Sequence, residues 1–190
     1  MIDRLLSDDS YEAAENATGQ GASNPFATIS DIKNITVGCV TSESSHTGDL
    51  IETVVQSIYV PANTFQAGDL LYFMFTTSAD AAVRYASKVY LNTSNNLSGS
   101  PVQLMVYDQS GSMVQKMWRD CFILNDTTMN CFQPPNVNTT TMFGNYSGSY
   151  AQITGLDFTV DQYLLYTVQL ITDDTKIITN RGLILERKRQ

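Results

Sequence analysis

Leu70-Leu71-Tyr72-Phe73-Met74-Phe75 is the most apolar run of this 190-residue chain, and its reading decides the fold. It is apolar on both faces of a two-residue period, which suits a central strand covered on both sides. Ala67-Gly68-Asp69 makes a tight turn into it. Upstream, Val54, Ile58 and Val60 share one face of a strand with Gln56, and Pro61-Ala62-Asn63 breaks it, since proline cannot donate to a ladder. Downstream, Val83, Tyr85, Val89 and Leu91 alternate with Arg84, Ala86, Lys88 and Tyr90, a strand with one wet face.

The same period continues. Val102, Leu104 and Val106 alternate up to a turn at Asp108-Gln109-Ser110-Gly111. Met113 to Leu124 reads as a long strand, with Trp118 in the core and Arg119 and Asp120 pairing near the surface. Leu164, Tyr166, Val168 and Leu170 share a face, and Asp173-Asp174 turns the chain into a last strand over Lys176–Arg187. Eight or so short strands with almost no helical period predict an all-β sandwich or barrel. A closed or two-sheet solution is expected because open sheets leave sticky edges. The expected organisation is an extended N-terminal arm over 1–30, with one short capped helix over Tyr11–Asn16, followed by a β domain over 31–190. Gln133–Ser149, with Pro134-Pro135 at its base, reads as a long surface loop.

Charged residues make up only 16% of the chain, against roughly 25% in ordinary globular domains. The surface is therefore neutral and polar, or covered by other copies. The formal net charge of −8 disfavours nucleic-acid binding, which needs clustered cations. Arg187-Lys188-Arg189 reverses the sign at the end and reads as a solvated tail. No run approaches the roughly 18 to 20 apolar residues needed to span a bilayer. The opening Met1-Ile2-Asp3-Arg4-Leu5-Leu6-Ser7 lacks the basic and apolar regions of a secretory signal. An external-looking β module made without one fits a virus particle assembled in the host cytoplasm and released by lysis.

Four segments carry a resemblance. Val60–Asp69, Val89–Gly99, Met117–Asp120 with its following apolar strand, and Thr159–Leu165 resemble phrases, in the same order, of the β-sandwich modules in bacteriophage head-fibre, decoration and tail-fibre proteins. The resemblance runs from about residue 50 to the C-terminus. It implies a jelly-roll-like β-sandwich, commonly a homotrimer, displayed on a virion. These are phrases of strand and turn, not of a catalytic site.

His46, the only histidine, lies in the loop-like Ser44-Ser45-His46-Thr47-Gly48-Asp49, where neighbours in sequence do not make a triad in space. Asp157 and Asp161, if in a strand, sit roughly 13 Å apart, too far for paired-carboxylate hydrolysis. Asp173-Asp174-Thr175 reads as turn chemistry. No phosphate-cradling motif, EF-hand or C-x-x-C occurs, so neither cofactor nor metal is expected. Cys39, Cys121 and Cys131 are odd in number; Cys121 and Cys131 could face each other across a hairpin, but buried thiols are the preferred reading. Seven N-x-S/T triplets follow from Asn/Thr/Ser-rich turns.

The expected function is a non-enzymatic virion structural protein, a head-fibre or capsid decoration subunit. Its arm would dock on a capsid or adaptor protein through Ile2, Leu5 and Leu6, with Asp8 and Asp9 meeting basic groups there. The alternative is a tail-borne fibre module binding a host-surface glycan through Phe143, Tyr146 and Tyr150. An enzyme such as a glycan depolymerase stands third.

Overall fold

Strand alternation resolves into eleven β-strands in the computed structural model, which describes residues 34–80, 83–110, 114–132 and 150–189. The arm over 1–30, with Ile2, Leu5, Leu6, Asp8 and Asp9, lies outside the described residues, as do Phe143 and Tyr146; Tyr150 is described only in its backbone. The strands are β1 (Asn34–Val40), β2 (Ser44–His46), β3 (Thr53–Val60), β4 (Asp69–Ala79), β5 (Arg84–Asn92), β6 (Val102–Ser110), β7 (Val114–Asn125), β8 (Thr128–Phe132), β9 (Tyr150–Thr154), β10 (Gln162–Leu170) and β11 (Ile178–Arg189).

They form two antiparallel sheets. The larger runs β1-β11-β4-β7-β8-β9, with β2 pairing the same edge of β11 beyond β1; the smaller runs β3-β10-β5-β6. Strand partners are nested: β1 pairs with β11, β3 with β10, β4 with β7 and β5 with β6. Between the sheets lie Leu71, Phe73 and Phe75 of β4, Tyr85, Val89 and Leu91 of β5, Leu164, Tyr166, Val168 and Leu170 of β10, and Leu183 and Leu185 of β11. Each such side chain contributes roughly 1.5–3 kcal/mol by leaving water. At one edge β1 comes so close to β3 that a Cβ on Gly38 would overlap Ile58 Cγ2. The turn into β4 needs Gly68, whose φ of +89° is left-handed and whose N–H donates to the Ile123 carbonyl at 2.9 Å.

The expected strands are present, but several faces differ. A β-bulge in β3 pairs Gln56 with Tyr166 and Val54 with Thr167, so Val55 packs on the core and Val54 leaves the Ile58–Val60 face. A second bulge, in β6, pairs Met105 with Val89 and Gln103 with Tyr90; Leu104 and Met105 are both buried and Val106 turns outward. β6 continues through Asp108–Ser110, where a turn was expected. The second face of β5 is not wet: Ala86 and Tyr90 are buried and Lys88 is half-buried, because the chain before β3 lies across them. β4 is central as read, yet among the described residues only one of its faces is packed against another sheet, and its outward residues are half-buried.

Candidate functional site

The outward face of the larger sheet is the least expected surface of the molecule. β7 alternates strictly, so Met117, Arg119, Cys121 and Ile123 point inward and Val114, Trp118, Phe122 and Leu124 point outward. Those four outward residues are 70%, 38%, 37% and 43% exposed. Trp118 is therefore not a core residue. Alternation admits only one of the adjacent pair Met117-Trp118, and the register Phe75↔Met117 with Met74↔Trp118 places the methionine inside. Arg119 and Asp120 face opposite sides, and the Arg119 guanidinium bonds the Trp118 carbonyl at 2.7 Å.

Register assembles a patch from these residues. Ile184, Met74 and Trp118 form one rung across β11, β4 and β7; Lys188, Leu70 and Phe122 form another. The rung between them holds Glu186, Tyr72 and Asp120. There the Lys188 ammonium lies 3.7 Å from the Tyr72 ring centre, 3.9 Å from Glu186 and 4.0 Å from Asp120. Partial burial, with the Glu186 and Asp120 carboxylates, raises the Tyr72 phenol above its ordinary value. Lys188 offsets one of the two carboxylates, so covering the patch would bury one net negative charge.

The terminal basic triplet belongs to this fold and is not a solvated tail. Arg187, Lys188 and Arg189 lie within β11. Arg187 is buried and donates to the Thr64 carbonyl; Arg189 donates to Asp69 at 3.0 Å and to Gln66 at 3.1 Å. Asp69, fully buried, also accepts from the Gln66 N–H, so the ion pair fastens the end of β11 to the turn that starts β4.

On the smaller sheet the outward face carries a polar clamp. Glu52 accepts from the Lys88 ammonium, from the Thr167 hydroxyl at 2.7 Å and from the Tyr90 hydroxyl. Burial works against its charge, but these donors and the Lys88 charge together hold its pKa below the ordinary carboxylate value. Gln169 donates to the Leu50 carbonyl at 3.1 Å and pins the same segment.

The other sequence candidates are accounted for structurally. His46 is buried at the end of β2, with its ring Nε2 3.2 Å from the Asp49 carbonyl. Asp157 and Asp161 lie in the turns before β10: Asp157 accepts from Thr159, and Asp161 accepts the Ala62 N–H at 2.9 Å. Asp173 caps Thr175, whose hydroxyl and N–H hold its pKa low. Cys121 and Cys131 are directly opposed across the β7–β8 hairpin and joined as a disulfide, which corrects the preference for thiols. Cys39 is a free, exposed thiol on β1. Among the described residues no cluster of three or more potential metal ligands occurs, and no helix is long and apolar enough to cross a membrane. The sequence signal for the outward patch was available: β7 is apolar on both faces, a pattern that asks for cover on both.

No protein-family model and no curated protein matches the chain. Among solved structures, it is similar to the CBM2 module of Lactobacillus casei BL23 phage J-1 evolved Dit, at 10% identity over 91% of this chain and 84% of that one, with a TM-score of 0.41. It is also similar to infectious bursal disease virus, Gx strain, at 9% identity over 82% of this chain and 39% of that one, with a TM-score of 0.26. Likenesses this weak carry no functional weight.

Proposed function

We propose that this chain is a non-enzymatic structural subunit of a virus particle, a head-fibre or capsid decoration protein whose β-sandwich is a jelly roll that assembles as a trimer. The observation that carries this reading is the outward face of β4, β7 and β11. Among the described residues, exposed Trp118, Phe122 and Leu124, with half-buried Met74 and Ile184 beside them, leave on one sheet an apolar surface of the kind that soluble proteins cover with a partner. A second copy suits it, because the face is largely apolar and Lys188 holds both Glu186 and Asp120 in its charged rung, which leaves a single net negative charge there.

Two further features support the reading. Nested pairing of first strand with last, repeated inward to β5 with β6, is how a jelly roll wraps, and that architecture recurs in capsid and lectin domains. The four phrases resembling phage virion modules fall on its strands and turns. In this reading the acidic segment 1–30 anchors the trimer to the particle.

Imaging intact particles with this chain labelled tests it. Density repeating on the capsid lattice supports a head-fibre or decoration role. Density confined to the tail tip overturns it in favour of the receptor-binding alternative. Particles made with 1–30 deleted should lack the protein while the truncated chain remains folded; normal incorporation would move the anchor elsewhere.

A further inference from the structure

At the edge of the smaller sheet, where β3 has a paired strand on one side only among the described residues, β3 borders a groove of about 320 Å³. Such a volume is at the lower end of small-ligand sites. Its polar lining comes from Ser42 and Ser44 on the larger sheet's side, Gln56 and Ser57 on β3, and Asn95 from the loop after β5; the rest is valine. None of these lining residues is charged. Gln56 is committed at both ends, donating to the Ser42 carbonyl at 2.7 Å and accepting from Asn180 at 2.8 Å, so the floor is fixed. The Ser44 hydroxyl has no hydrogen-bond partner among the described residues.

Two residues beyond Ser57, on the same outward face of β3, stands Tyr59. Alternate residues along a strand are about 6.5–7 Å apart, so Tyr59 stands one outward position beyond Ser57, the last residue of β3 to line the groove. Tyr59 is 48% exposed, yet it is held in place. Its hydroxyl donates to Asp161, which is itself fixed by the Ala62 N–H, and its ring stands 5.5 Å from that of Tyr163, its register partner on β10. An aromatic ring fixed through its polar end, with its face left in water, is prepared to stack without an ordering cost.

We propose that the Ser42–Ser57–Asn95 groove and the Tyr59 ring form one binding site for a neutral glycan, with hydroxyls bonded in the groove and one sugar ring stacked on Tyr59. Charge selects the ligand class. The uncharged hydroxyls and amides match sugar hydroxyls. Asp161 beside the ring and a net charge of −8 disfavour acidic glycans and nucleic acid. A peptide adding to the free edge of β3 would use its backbone and leave the Tyr59 face unused. This site lies where the β3 edge of the smaller sheet meets β1 and β2, and it shares no residue with the assembly face on β4, β7 and β11.

Native affinity electrophoresis of the full chain tests the proposal, in gels containing dextran, galactomannan or mixed-linkage β-glucan as neutral polymers and hyaluronan as the acidic one. At least one neutral polymer should retard the protein, and hyaluronan should not. Tyr59→Ala should weaken the retardation about tenfold or more, with the thermal melt unchanged because the ring is half exposed, and Tyr59→Trp should restore it. Asn95→Ala should weaken it as well. Absence of retardation by every neutral polymer, stronger retardation by hyaluronan, or full retardation of Tyr59→Ala each overturns the site. None of these outcomes bears on the trimer, which is read by light scattering.

Discussion

Glu52 shows how a single carboxylate can hold a loop against a sheet. It gathers Lys88, Thr167 and Tyr90 from two neighbouring strands, and so the chain before β3 is closed over the outward face of β5 and β10. Replacing it leaves a half-buried ammonium without its counter-charge. Glu52→Gln is therefore expected to destabilise the fold by about 1–3 kcal/mol at pH 7, a range set by partial solvent access to the pair. The sign of the pH dependence follows from the lowered pKa. The folded state binds the proton less readily than the unfolded chain, whose Glu lies near 4.5, so the contribution is complete above that value and fades as pH falls through the folded pKa. Urea melts of parent and variant should differ at pH 7 and converge below about pH 4.5; a gap that stays constant into acid would remove the ionised carboxylate from the account. Tyr166 poses a different case in the core. Its hydroxyl joins Thr77 of the larger sheet and Ser87 of the smaller, the latter at 2.8 Å, all three fully buried. Burial pushes this phenol well above its ordinary range, and it stays neutral. Tyr166→Phe strands two buried hydroxyls and should cost about 1–3 kcal/mol, read as a lower urea midpoint with an unchanged slope.

At the scale of elements, the two-residue period revealed where strands run more reliably than which face turns inward. Leu164, Tyr166, Val168 and Leu170 of β10 were legible because one unbroken alternation carries them. In β3 and β6 a single extra residue, at Val55 and near Leu104, reverses the alternation midway, and nothing in the local composition marks it. β7 was misread at Trp118 for a related reason. With large apolar residues on both faces, its own pattern cannot say which set is inside; only the register against β4 decides. The basic end was misread because its partners, Thr64, Asp69, Asp120 and Glu186, mostly lie more than sixty residues upstream. The hairpin of β7 and β8 was within reach of the sequence, since its turn at Asn125–Thr128 puts Cys121 opposite Cys131. Alkylation of the unreduced, unfolded chain should label Cys39 alone; three labelled thiols would mean that the pair is reduced in the protein as isolated.

For the molecule as a whole, the two sheets differ in how they meet solvent. On the smaller one, Glu52 and Leu50 are tied across the outward side of β5 and β10, while Tyr59 of β3 and Val106 of β6 stay exposed. Among the described residues, the larger one presents Trp118, Phe122 and Leu124 exposed, with Met74 and Ile184 half-buried beside them. If that face is the seam of a trimer, charge placed on it should separate the copies and spare the fold, because the altered side chains already touch water. Trp118→Glu combined with Phe122→Glu adds two carboxylates per chain beside Asp120 and Glu186, and at a threefold seam the like charges of three copies converge. Light scattering of the parent at micromolar concentration should give three times the chain mass, and the double variant one chain mass, with a cooperative melt retained in both. Trp118→Phe with Phe122→Leu, which keeps the face apolar, should remain trimeric. A parent that is monomeric overturns the assembly. A double variant that stays trimeric moves the seam off this face and leaves the exposed tryptophan to contact the particle itself.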